Sequence, residues 1–109
     1  MSNESIIRDL LIEGVEDWVP IDTLIGLAHE SEKSEGGNFK EIVASILDYL
    51  LKDDLMVAGE IGNSGFEAWA GDADSIARRI IARLDEVDWR PFGGVCWLAN
   101  TSKGDNVER

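Results

Sequence analysis

Between residues 38 and 71 the chain reads NFKEIVASILDYLLKDDLMVAGEIGNSGFEAWAG, and its hydrophobic period changes once along that stretch. Phe39, Ile42, Val43, Ile46, Leu47, Leu50 and Leu51 recur at the spacing that gathers them on one wide face of a helix. Asn38 followed by Glu41 fits a capping box, because both side chains can reach free amides of the first turn. After Asp53 and Asp54 the pattern turns short and strand-like. Residues 55–61 and 66–70 are two strand candidates around Gly62-Asn63-Ser64-Gly65, which supplies the positive-φ residues a hairpin turn needs. A helix that runs straight into a hairpin predicts an α+β fold with a small antiparallel sheet.

The same region is short of positive charge. From Asp53 to Ala77 there is no Lys or Arg, while Asp53, Asp54, Glu60, Glu67, Asp72 and Asp74 all fall within it. Over the whole chain, 22 acidic residues against 10 basic ones give a formal net charge of -12. Such a field repels nucleic acid and anionic membranes and attracts basic partners.

The remaining elements follow from capping and periodicity. A first helix is predicted over residues 3–13, with Ile6, Ile7, Leu10 and Leu11 at helical spacing and Gly14 placed to end it. Trp18-Val19-Pro20-Ile21 reads as a short extended segment that Pro20 restricts to a sheet edge. Asp22 is placed to cap a second helix to about residue 30, burying Ile21, Leu24, Ile25 and Ala28. The polar, glycine-ended HESEKSEGG that follows reads as a loop. Asp72 or Asp74 caps a fourth helix with Ile76, Ile80, Leu84 and Val87 on one face, and 95–100 is a last strand. The expectation is one domain over the 109 residues, ordered from about 4 to 100, with 101–109 as a flexible tail.

This order of elements resembles the winged-helix superfamily over residues 4–70. The resemblance implies a winged-helix-like fold of about four helices with a small antiparallel β-hairpin or sheet. It would make the 38–53 helix a recognition helix and the hairpin its wing. The charges oppose direct DNA contact. Lys40 and Lys52 share that helix and its end with Glu41, Asp48, Asp53 and Asp54, too few cations to neutralise several phosphates. The stretch 29–37 also looks longer than the three- to four-residue turn of a helix-turn-helix. Arg78, Arg79, Arg83 and Arg90 are matched by Asp72, Asp74, Asp85, Glu86 and Asp88, which describes a solvated face.

Catalytic groups are sparse. His29 is the single histidine, and Cys96, between Val95 and Trp97, has neither a base nor an electropositive setting in its sequence neighbourhood. Read as a calcium loop from Asp72, the sequence places Ile76, Ala77 and Arg83 where an oxygen ligand, Gly and Glu belong. No catalytic, cofactor or metal site is expected. The start MSNESIIRDLLIEG lacks the basic opening and apolar run of a signal peptide, and no apolar stretch is long enough to span a bilayer. With one cysteine, this points to a cytoplasmic protein.

Size, charge and outline together resemble the immunity proteins of bacterial toxin systems, contact-dependent growth inhibition among them. That resemblance implies binding to a basic toxin domain, often a nuclease, and carries no individual residue over, since such proteins share no common motif. The alternatives are a degenerate winged-helix regulator acting through a protein partner or as a dimer, and an interaction domain of a larger assembly. The expected partner surface is the acidic set Asp53, Asp54, Glu60, Glu67, Asp72 and Asp74, brought together without a compensating cation. Met56, Phe66 and Trp69 are its candidate apolar anchors. Trp18, Trp69, Trp89 and Trp97 are all assigned to the core, with an anchoring role for Trp69 as the alternative.

Overall fold

The computed structural model describes residues 2–107. In chain order the elements are α1 (Asn3–Glu16), β1 (Val19–Pro20), α2 (Ile21–Glu35), α3 (Phe39–Lys52), β2 (Met56–Gly62), β3 (Gly65–Ala68), α4 (Ala73–Glu86), β4 (Trp97–Asn100) and α5 (Ser102–Asp105). The fold is α+β, with five helices where about four were expected. All strand pairings are antiparallel, in the order β1-β4-β2-β3.

The 38–71 stretch folds in the predicted order. Asn38 caps α3, its side-chain oxygen accepting from the amides of Lys40 and Glu41 at 2.9 and 3.2 Å. Val43, Ile46, Leu47 and Leu50 are buried on one face of that helix. The hairpin turns through Asn63 and Ser64, and within this turn Gly65 takes the positive φ, at 106°.

Four expectations are corrected. Gly14 does not end α1, which continues to Glu16; a Cβ at this position would overlap the Asn100 side chain, whose Nδ2 donates to the Leu11 carbonyl at 2.9 Å. Asp22 does not cap α2. Pro20 holds that position with no side-chain cap, and the Asp22 carboxylate accepts from the Gly93 amide at 3.0 and 3.2 Å. The stretch read as a long loop continues α2 to Glu35, because Glu, Ser and Lys propagate a helix until Gly36 ends it at φ 87°. Glu32 then accepts from the Phe39 amide at 3.0 Å, so the α2–α3 joint is only residues 36–38. Finally, 101–107 is no loose tail. Thr101 donates through its amide to the Leu55 carbonyl at 3.0 Å and through its hydroxyl to that of Asp54 at 2.6 Å, and Gly104 is buried against Leu55. The last two residues of that expected tail, 108–109, lie outside the described ones.

Ladder positions alternate between the two faces of the sheet, while burial departs from that alternation in β2, where Gly59 is buried and Glu60 exposed. Val19, Met56, Ala58 and Leu98 point to the inner face and join Ile6, Leu10, Ile46 and Leu50 in one apolar cluster under the helices. Ile76, Ile80 and Leu84 of α4 belong to the same cluster, whereas Val87 is the C-cap and 41% exposed.

Candidate functional site

The hairpin begins at a bend. Asp53 is the C-cap of α3, and Asp54 adopts a left-handed φ of 55°, after which the Leu55 amide donates back to Leu50 at 2.9 Å. From there alternation divides the candidate residues between the two faces of the hairpin. Met56, Ala58, Glu60, Glu67 and Trp69 share the inner side; Val57, Ile61, Phe66 and Ala68 share the outer side.

On the inner side, Glu60 and Glu67 are directly opposed across the two strands, and both are exposed. Like charges in that position are unfavourable. The Trp69 ring fixes Glu60: its Nε1 donates to Glu60 Oε1 at 3.0 Å. The Arg79 guanidinium lies 3.8 Å from the centre of that ring. Trp69 therefore works as a buried strut between hairpin and α4, and Met56 is enclosed beneath the helices. Both are spent on the core, as the core assignment of Trp69 expects, and neither stands free as an apolar anchor. Phe66 is half-buried, and its ring centre is 6.0 Å from that of Trp18.

The acidic set is not uncompensated. Asp74 pairs with Lys52 at 3.4 Å, and Asp53 lies 3.9 Å from Lys103. Lys52 also reaches Asp48 at 3.2 Å, and these two carboxylates, Asp48 foremost, raise its pKa above the ordinary lysine value. Asp72 caps α4, accepting from the Ser75 amide at 2.8 Å, and this bond holds its carboxyl below the ordinary range. Glu60, Glu67 and Asp54 remain exposed with no salt bridge described to any of them.

Sequence reasoning missed the outer side. Trp18, assigned to the core, is 40% exposed, and Ile61 is 43% exposed. Together with half-buried Val57, Trp97 and Ala99 they make a sheet face without a charged residue. The period-two count from Met56 carried the signal, since it separates Ile61 and Phe66 from Glu60 and Glu67.

Elsewhere the side chains with chemical potential are engaged structurally. His29 stacks on Phe39 with ring centres 3.8 Å apart. Cys96 is buried, and desolvation foremost, with Asp22 nearby, pushes its thiol pKa up to about 12. Among the described residues no group of three His, Cys, Asp or Glu is placed to hold a metal ion, and no helix is long and apolar enough to cross a membrane. A hollow of about 790 Å³ opens between α3 and α4, lined by small and aliphatic side chains with Asp48, Asp74, Asp85 and Arg78. Comparison with known proteins finds no matching family model, curated protein or solved structure.

Proposed function

We propose that this chain is a non-catalytic acidic protein-binding module of the cytoplasm that acts as an immunity protein, occluding a basic, nuclease-type toxin domain. The observation that supports this most is the exposed Glu60–Glu67 pair, held face to face on a hairpin in a chain of net charge -12. Glu60 satisfies the Trp69 indole, but the fold gains nothing from setting Glu67 opposite it, and a cationic cleft built to hold a nucleic-acid backbone would gain much. The sign of the field attracts such a cleft, and a hairpin filling it would exclude the phosphates.

The short α2–α3 connection favours, as an alternative, a winged-helix regulator that works through a protein partner. The residue 29–37 stretch no longer argues against a helix-turn-helix, since only residues 36–38 join the helices. The charges of α3 still oppose direct DNA contact. Lys52 is occupied by Asp48 and Asp74, and Lys40 lies over the Trp89 ring at 5.4 Å. A mobility shift with duplex DNA that weakens steeply with salt would favour the regulator.

The test of the first reading is purification from the native host with identification of what accompanies the protein. A basic toxin domain is expected. Exchanging Glu60, Glu67 and Asp72 for Lys should then slow its association by about tenfold or more, within the range of electrostatic steering. An unchanged association rate with the fold intact would make these carboxylates a solvated face.

A further inference from the structure

β3 is an edge strand, so one side of its backbone has no neighbouring strand. Which groups face that side follows from the ladder. The Trp69 amide donates to the Ala58 carbonyl at 2.9 Å, making Ala58 and Trp69 a hydrogen-bonded pair. Antiparallel pairs alternate, so Glu60–Glu67 is bonded, and Gly59–Ala68 and Ile61–Phe66 are not. Phe66 and Ala68 therefore turn both N–H and C=O toward the open edge. The sequence Gly-Phe-Glu-Ala has no Lys or Pro of the kind that blunts exposed edges.

The two faces beside this edge differ in chemistry. A strand laid against β3 would set alternate side chains beside Phe66 and Ala68, on the charge-free outer face, with the intervening one beside Glu67. An apolar residue suits the first positions and a cation the second. We propose that an extended, basic segment of a partner protein, alternating cationic and apolar residues, adds to β3 as a fifth strand of the sheet. This rests on the reading of the partner as basic. A second copy of the chain is the wrong occupant, because pairing two β3 edges would bring Glu67 toward its counterpart and set two charges of -12 against each other. A cation beside Glu67 instead relieves the opposed Glu60–Glu67 pair, and strand addition supplies main-chain bonds for affinity with alternating side chains for specificity.

The test uses the full isotope-labelled chain and three synthetic peptides of about ten residues, a typical strand length, in which Val alternates with Lys, Glu or Ser. The Lys peptide is expected to shift the amides of Phe66, Glu67 and Ala68 and to slow hydrogen exchange at Phe66 and Ala68. Two variants sharpen the result. Ala68→Pro removes an edge donor without touching the β2 ladder and should abolish binding. Glu67→Lys should raise the melting temperature by relieving the opposed pair, yet weaken the Lys peptide by about tenfold or more. That opposite pair of effects would not come from a merely structural role. Binding of the Lys peptide elsewhere, such as in the α3–α4 hollow, overturns the edge and leaves the reading of a basic partner standing. Equal binding of the Glu or Ser peptide at β3 overturns the basic partner and leaves the edge. Failure of all three peptides to bind, or self-association through β3 in their absence, overturns the proposal.

Discussion

On the inner face of the sheet, Val19, Met56, Ala58 and Leu98 are closed to solvent; on the outer face, Val57, Trp97 and Ala99 are half-buried and Ile61 is exposed. The side chains are of one kind, and what separates the faces is cover: the first is closed under the helices and the second is partly open. Apolar character alone therefore does not mark the core of this protein. The inner face holds the fold together, and the outer face keeps apolar surface in water.

The largest effect expected from this difference is in stability. Leu98→Ala should cost about 2–5 kcal/mol in urea denaturation, because it opens a cavity at a fully buried site. Ile61→Ala should stay within about 1 kcal/mol while impairing binding at the hairpin. Equal costs for the two would mean that the outer face is as much core as the inner one.

A smaller but more local effect is expected at Gly59. This residue lies on the outer face, where a Cβ would collide with the Glu67 carbonyl, so β3 crosses β2 unusually closely there. The close crossing lets the hairpin coil until its tip reaches Trp18; a Cβ on Gly65 would sit 3.3 Å from that ring. Gly59→Ala should cost about 1–3 kcal/mol by overpacking and break the Trp18–Phe66 contact, read by the Trp18 indole resonance. If the contact survives, the coil has another cause.

These positions also mark how far the sequence could be read. The α3-to-hairpin order was legible because both periods are long and cleanly punctuated by Asn38 and by the glycine-rich turn. The pairing of Glu60 with Glu67 follows from that turn by counting. The pairing of Trp18 with Phe66 does not, since it depends on how sharply the hairpin coils, and a lone Gly59 leaves that open. The extension of α2 was hidden because Glu, Ser and Lys suit a loop as well as a helix. Cations opposite Asp53 and Asp74 come from Lys103 and Lys52, one from a distant segment and one across the α3–α4 joint, so no local count could find them. The acidic patch was visible as composition, its partial neutralisation only as geometry.

A third prediction sets Cys96, at the covered end of the sheet, against exposed thiols. Its pKa, raised from 9.0 to about 12, means that the folded chain binds its proton more tightly than the unfolded one. The associated stability is fully present below pH 9 and declines as pH rises toward 12. At neutral pH a thiol reagent should label the native protein only as fast as it opens, and labelling at the rate of a free thiol would mean that this end of the sheet is not closed.

The smallest effect concerns Asp72, which is both the N-cap of α4 and a member of the acidic set, so its two roles need separating. Asn at this position keeps a side-chain acceptor for the Ser75 amide and removes the charge. Because hydrogen bonding from Ser75 lowers the Asp72 pKa below 3.8, its charged form contributes stability above that pH, and the contribution is lost as pH falls through the depressed value. The wild type and Asp72→Asn should therefore differ slightly in melting temperature near neutrality and converge in acid. Asp72→Ala should remain below both, having lost the cap as well. Association with a basic partner sorts the variants differently. If Asp72 contributes field, Asn and Ala slow association alike despite their different stabilities. If the two association rates instead follow the two melting temperatures, Asp72 only holds the start of α4, and the attractive charge near the hairpin reduces to Glu60 and Glu67.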